Sequence, residues 1–273
     1  EAFEFDATLN VVSTGESGAA MVGTFKWGPC NQAVQTSSVD DLIALRGTPT
    51  DDNYQDWFSA SNFLNYSANL YNIRVIDEET ALNAGVAPKS DPQLDDPLVE
   101  AKGVLFKNGQ HFEMTKGIAT QSFAARYPGA LGNSLEVSIA DAATFDTWAY
   151  KNEFDTAPNS SPGSEVSVAD ANDEIHVVVI DKGGLFTRTP GVVLEKYAYL
   201  SKAKDGRDTS GTGSYYVSTI NRTSKYVYAV KALPDSLMSE TSDKTSWGGE
   251  IFEGKPFAEL QKAFVGRLGG GAD

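Results

Sequence analysis

The chain has one cysteine, two histidines and few positive charges, and it has no long apolar run. Each shortage excludes something. A lone Cys30 rules out a disulfide framework and any cysteine-rich metal site. His111 and His176 lie far apart, and neither has a nucleophile and an acid spaced around it as a Ser-His-Asp relay requires. A membrane-spanning helix needs roughly 18 or more consecutive apolar residues, and no such stretch occurs. Lys and Arg total 22 against 37 acids, for a net charge of −15. That balance argues against nucleic acid, because phosphates demand a basic face. The glycines at 206–213 and 266–271 lack both the Walker lysine and the Rossmann spacing, so no phosphate-binding loop is assigned. No signal-peptide pattern is visible, and the chain opens at Glu1 rather than Met, as a trimmed product would.

What is present is a chain of 273 residues, 41% hydrophobic, enough for one large core or two smaller ones. Its acids are unevenly spread. Seven between Asp77 and Glu100 stand against Lys89, and eight between Asp141 and Glu174 stand against Lys151. These windows carry −6 and −7, nearly all of the net charge. The pattern predicts a near-neutral body with two solvated acidic excursions.

Periodicity and punctuation supply the elements. Ala19 to Trp27 reads as a strand ended by Gly28-Pro29. Ser38 caps a short helix, with Asp41 in the box position and Gly47 at the stop. Its inner face is expected to hold Val39, Leu42, Ile43 and Leu45. A second helix is expected over Tyr54 to Tyr66, with Trp57, Phe58, Ala60, Phe63 and Leu64 on its apolar side. Asn69 to Ile76 reads as a buried strand. Three prolines and the acids make 77–101 an exposed excursion. Asn108-Gly109 predicts a hairpin from Val104 to Met114. Strands follow at Leu135 to Ile139, Ile175 to Ile180, Val193 to Leu200 and Tyr226 to Val230, with a helix at Ser214 to Arg222. Beyond Pro234 the sequence reads as loop. The fold class is α/β (α+β), a mixed sheet covered by helices with a small β-rich insertion. The expected division is a discontinuous core, 1–76 plus 126–273, and an outward-facing insertion, 77–125.

No catalytic, cofactor-binding or metal residue is assigned. His176 sits in an apolar strand, where a structural histidine is the ordinary outcome. Cys30 reads as a small buried hydrophobe. Asp170, Asn172, Asp173 and Glu174 could ring a cation but lack the spacing and glycine of a calcium loop. Asp95-Asp96 could give one acid of a glycosidase pair, with no partner in view. Tyr197, Tyr199, Tyr215, Tyr216, Tyr226 and Tyr228 could stack on sugars or bases; at these spacings they more often fill cores.

The stretch Met21-Val22-Gly23-Thr24-Phe25-Lys26-Trp27-Gly28-Pro29 resembles the opening of the core in contractile tail sheath proteins of myovirus-type phages. Asp41 to Gly47, Tyr54-Gln55-Asp56-Trp57-Phe58, Asn62-Phe63-Leu64 and Arg74-Val75 follow in the family's order. Arg126-Tyr127-Pro128-Gly129 through Gly132-Asn133 to Leu135 resembles a second signature, and Gly191 to Ser201 with Ile220-Asn221-Arg222 the later core. The resemblance implies a structural subunit, not an enzyme, that needs no cofactor. It implies hexameric rings of subunits stacked around a tail tube, with baseplate and tail terminator proteins as further partners. The sheath contracts and drives the tube through the host envelope. It places the protein in the virion tail. It also implies that the family's N-terminal arm and C-terminal domain, which link neighbours and grip the tube, are missing, leaving a fragment that stays monomeric alone. From a different class, the aromatics and acidic loops would suit a carbohydrate-binding or adhesive virion domain. An acidic hydrolase using Asp95 or Asp173 would need a concave pocket with two convergent carboxylates.

Overall fold

The computed structural model describes residues 18–89, 99–161, 171–251 and 255–273. The chain divides into two compact units, Glu1–Val75 and Ile76–Asp273. It is a mixed α+β protein with four helices and three sheets among the described residues.

In the first unit, β1 (Ala19–Gly23) lies parallel to β3 (Leu70–Arg74), and β2 (Ala33–Thr36) lies antiparallel to β3, giving the order β1-β3-β2. A parallel pair needs a crossover, and α1 (Val39–Arg46) and α2 (Tyr54–Leu64) occupy it. The expected capping chemistry at α1 is present. Ser38 Oγ accepts the Asp41 N–H at 3.1 Å, and Gly47 closes the helix at φ 78°. Phe25, Leu42, Trp57, Ala60, Leu64 and Leu70 form the core. Leu42 and Leu70 are almost fully buried, each contributing on the order of 1.5–3 kcal/mol relative to exposure. The face of α1 is narrower than its sequence predicts: Leu42 is buried with Arg46, while Ile43 is exposed. Phe58 of α2 is exposed as well. The short strand β2, with its single buried residue, has no signal of its own.

In the second unit, one antiparallel sheet has the order β10-β6-β4-β5, from β4 (Gly85–Pro88), β5 (Val99–Ala101), β6 (Phe123–Ala125) and β10 (Val227–Ala229). The other has the order β11-β7-β8-β9, from β7 (Leu135–Asp141), β8 (Glu174–Asp181), β9 (Val192–Ser201) and β11 (Phe264–Arg267). Every residue of β7 and β8 is buried, which marks them as the centre. The sheets meet where Gly85 and Gly269 exchange backbone hydrogen bonds at 2.9 and 3.1 Å. A Cβ on Gly85 would stand 2.4 Å from the Lys102 carbonyl, so only glycine permits the approach. Helix α3 (Gly109–Thr115) packs Phe112 against Phe106 and Tyr228, and α4 (Tyr216–Thr223) buries Tyr216 and Ile220.

Several expectations are corrected here. The Asn108-Gly109 pair does not turn a hairpin. Asn108 is extended, and its side chain accepts the His111 N–H at 3.0 Å, so it caps α3. Asparagine serves both ends, and sequence alone did not separate them. Residues 77–101 are not wholly an excursion, because Ala81 and 83–87 are buried and β4 pairs with β6. Within 77–125, β6 pairs with β10. The region beyond Pro234 holds β11 as well as loop. The second acidic window is not simply solvated: Asp141, Asp173 and Glu174 are buried.

Candidate functional site

Polar side chains converge in four places, and in each the buried charged groups are bonded to other parts of the chain. In the first unit, Arg46 and Arg74 are buried beneath the loop Lys26 to Cys30. Arg46 Nη1 donates to the Pro29 carbonyl at 2.9 Å, and its Nη2 to the Asn72 carbonyl at 2.9 Å. Arg74 Nη1 donates to the Gly28 carbonyl at 3.2 Å, and its Nε to the Phe25 carbonyl. Two planar guanidinium forks thus hold the backbone of Phe25 to Pro29 in place. Gly28, at φ 94°, lies so close to Leu45 and Arg46 that a Cβ would clash with both. Cys30 is fully buried beside them, as a small hydrophobe.

In the second unit, Lys202 and Asp141 are both fully buried, with Nζ and Oδ2 3.2 Å apart. The ammonium also donates to the carbonyls of Asn172 at 2.9 Å and Ala258 at 3.3 Å, and lies 5.0 Å from the Trp247 ring. Asp141 further accepts the Leu260 N–H at 2.9 Å and the Thr144 hydroxyl at 2.9 Å. Burial lowers the Lys202 pKa, and the Asp141 charge opposes that shift. With this many partners the pair fastens the 257–260 segment to the ends of β7 and β9. Sequence gave no sign of it, since Lys202 follows an exposed-looking strand.

Asp181, at the end of β8, accepts from the Ser134 hydroxyl, from the N–H groups of Phe186 and Thr187 at 3.0 and 2.7 Å, and from the Thr187 hydroxyl at 2.8 Å. Burial alone would raise its pKa, yet these donors together hold it below the usual carboxylate range. It organises the turn from β8 to β9.

The described members of the candidate cation ring are bonded to protein groups instead. Asp173 accepts the Ser161 N–H at 2.8 Å and the Ser201 hydroxyl; Glu174 accepts the Asn159 N–H at 3.0 Å; Asp170 lies outside the described residues. No cluster of three metal-binding side chains occurs among the described residues. His176, fully buried on β8, accepts the Tyr199 N–H on Nδ1 at 3.1 Å, so Nε2 carries the proton and donates to the Thr156 carbonyl at 2.9 Å. Its ring stacks on Phe154 at 4.2 Å, with Tyr199 and Phe145 edge-on. Burial pushes its pKa down. His111 is half-buried on α3 and accepts the Lys107 N–H. No nucleophile stands against either histidine in the hydrogen bonds of the described residues.

The tyrosines do not form a stacking surface. Tyr216 and Tyr228 are buried, and the Tyr216 hydroxyl accepts the Leu233 N–H at 2.9 Å. Tyr197 donates to Glu195 at 2.9 Å, and its pKa is pushed up to about 12 by burial. An apolar cleft of about 710 Å³ lies between β5 and β11, floored by Val86, Val99, Leu260, Phe264 and Leu268. Its lining carries one carboxylate, Glu100, where an acid-pair hydrolase needs two. Asp95 and Asp96 lie outside the described residues.

The remaining candidate is surface. On the side of the first sheet away from α1 and α2, Val22 is 61% exposed and Tyr71 44%, with Ala20, Ala33 and Gln35 beside them. The patch carries no charge, which is the character of a packing face. No helix among the described residues is long and apolar enough to cross a membrane.

Comparison with known proteins bears on this unit first. Residues 18–75 match the family described as tail sheath protein Gp18 domain III N-terminal region. Across a longer stretch the chain is 30% identical over 192 residues to the tail sheath protein of Salmonella phage ViI, covering 70% of this chain and 26% of that protein. It is 42% identical over 66 residues to the tail sheath protein of Vibrio phage KVP40, covering 24% of this chain and 10% of that one. The matched stretches thus span about a quarter or less of these relatives' lengths. A solved sheath tail protein from Listeria innocua overlays 94% of the chain and 34% of its own length at 16% identity, with a TM-score of 0.40.

Proposed function

We propose, taking as premise the kinship of this chain with phage tail sheath proteins, that it is the body of a structural sheath subunit in a contractile tail. The observation that carries this is the similarity to the phage ViI sheath protein over 70% of the chain, together with the sheath-domain match at 18–75. The geometry agrees with a mechanical role. Buried charges are spent on fastening loops, the cleft has one carboxylate, and the first sheet offers an uncharged apolar face. The partners are other copies in hexameric rings stacked around a tube, with baseplate and tail terminator proteins at the ends. The setting is the virion tail, after assembly in the host cytoplasm. No turnover is needed, because work comes from alternative packing of subunits.

The acidic residues Asp77, Glu78, Glu79 and Glu100 are exposed, and we assign them to the outside of the assembled sheath, where like charge keeps particles apart. The outward-facing portion of 77–125 is narrower than a whole inserted domain, because β4 and β6 belong to a sheet with β10. Negative-stain microscopy of the full-length gene product, expressed with its tube protein, tests the proposal. Regular tubular polymers labelled by an antibody to this chain are expected. Label on capsids or fibres, or specific glycan binding without polymers, would instead favour an adhesive virion domain.

A further inference from the structure

The strap 154–161 crosses the β8–β9 region without joining either sheet. Its polar anchors are specific, and Ser160 Oγ adds one by accepting the Asn172 N–H at 3.0 Å. Thr156 O receives the His176 Nε2–H at 2.9 Å, and the Thr156 hydroxyl meets the Tyr199 hydroxyl at 2.7 Å. Asn159 exchanges backbone and side-chain bonds with Glu174, and Ser161 N–H donates to Asp173. Phe154 stacks on the His176 ring at an interplanar angle of 7°. One imidazole therefore touches the strap twice, by ring face and by Nε2.

We propose that this strap is an acid-released latch, with His176 as its pin. The argument is geometric. In the neutral ring, Nδ1 is an acceptor facing the Tyr199 N–H at 3.1 Å. A second proton turns that nitrogen into a donor, and two donors then face each other. Tyr199 cannot readily turn its N–H away. Its φ is 53°, a left-handed conformation unusual for tyrosine, within a strand whose register slips nearby. The ring must move instead, and moving it removes both the Phe154 stack and the Thr156 bond. The aromatic face of Phe154 attracts an imidazolium but leaves the donor conflict in place.

The charged and titratable groups around the pin come from every neighbouring element. Glu174 starts β8 and Asp173 precedes it, Tyr199, Tyr197, Lys196 and Glu195 lie on β9, Asp141 at the end of β7, Lys202 just beyond β9, Asp155 in the strap and Glu153 just before it. Asp173 and Glu174 accept from the strap and from Ser201, and Asp141 is paired with Lys202. Among the described residues, none of these carboxylates hydrogen-bonds to or pairs with His176. Burial already disfavours its charged form, so release occurs as pH falls below the ordinary histidine range of about 6.5. Glu174 works the other way: its raised pKa favours the folded form as it protonates, at lower pH.

Hydrogen–deuterium exchange on the whole chain at pH 7.5 and 5.5, expressed as protection factors, tests this. Peptides over 154–161 should lose up to about tenfold in protection at pH 5.5, the limit for one histidine of ordinary pKa in the open state, while β7 peptides keep theirs. In His176→Phe, which retains the stack and cannot titrate, the two pH values should give equal protection of the strap. Glu174→Gln should leave the wild-type pH response in place. Equal strap protection at both pH values in the wild type overturns the proposal. So does a pH response that survives His176→Phe or vanishes in Glu174→Gln.

Discussion

The two units bury charge in opposite ways. The first buries arginines, Arg46 and Arg74, each donating to backbone carbonyls. The second buries carboxylates at or near strand ends, Glu136, Asp141, Asp173, Glu174 and Asp181, with one lysine and one histidine. Both use the buried group to fix loop backbone, yet the physical consequences differ. A guanidinium stays charged at any relevant pH and offers five donors in a fixed fork, so the first unit has no titrating pin in these places. Glu174, Asp181 and His176 have shifted pKa values, so the second unit couples the loops they hold to protons. The first unit is accordingly a rigid clamp on a loop, and the second a set of fastenings with pH-dependent strength.

That contrast can be broken by removing one partner at a time. Lys202→Met should be the most damaging change, because it leaves Asp141 buried without its counter-charge. A loss of about 3–5 kcal/mol is expected for breaking a buried pair, read from urea denaturation followed by near-UV dichroism. In the first unit, Gly28→Ala forces a Cβ to within 2.5 Å of the Leu45 carbonyl at φ 94°, and about 1–3 kcal/mol should be lost. Exchange protection of β1 and β3 peptides measures it; unchanged protection there would show that the loop is not clamped.

Titration sharpens the comparison further. His176 has a depressed folded pKa, so the unfolded chain binds more protons below about pH 6.5 and the second unit loses stability on acidification, by at most about 1.4 kcal/mol per pH unit. Asp181, also depressed, adds stability above the ordinary carboxylate pKa that is lost only as pH falls through its lower folded value. Melting curves between pH 7.5 and 4 should therefore slope first with the histidine, and the upper part of the slope should vanish in His176→Phe. The smallest effect belongs to Ser38→Ala, about 1 kcal/mol from the lost cap on α1, measured by the same denaturation in the first unit.

What the sequence made legible follows the same division. Capping of α1 was readable because Ser38, Asp41 and Gly47 are local signals for a local structure. The buried sides of α2 and β8 were readable from apolar spacing. The fastenings were not. Asn72 and Arg74 occupy the buried face of β3, where hydrophobicity would have placed Ile73 and Val75 instead. Lys202 meets Asp141 across sixty-one positions, and no spacing rule reaches that far. The short strands β2 and β11 exist because a neighbour supplies their hydrogen bonds, information that lies in β3 and β7. The absence of an assigned catalytic residue left nothing for the structure to bring together; what it added was where the polar groups are spent.

One feature of β9 reaches beyond its own sheet. This ten-residue strand ends its sheet, and its pairing to β8 slips register twice, between Ile175 and Val177 and between Val179 and Ile180. A straight border of that length would be an open invitation to any other straight border. Under the proposed function, a chain that packs against copies of itself spends time in a crowd before it is placed. The kinks in β9 make its border unreadable as a template, so crowding alone does not zip copies together, and contacts between them are left to surfaces shaped for the purpose.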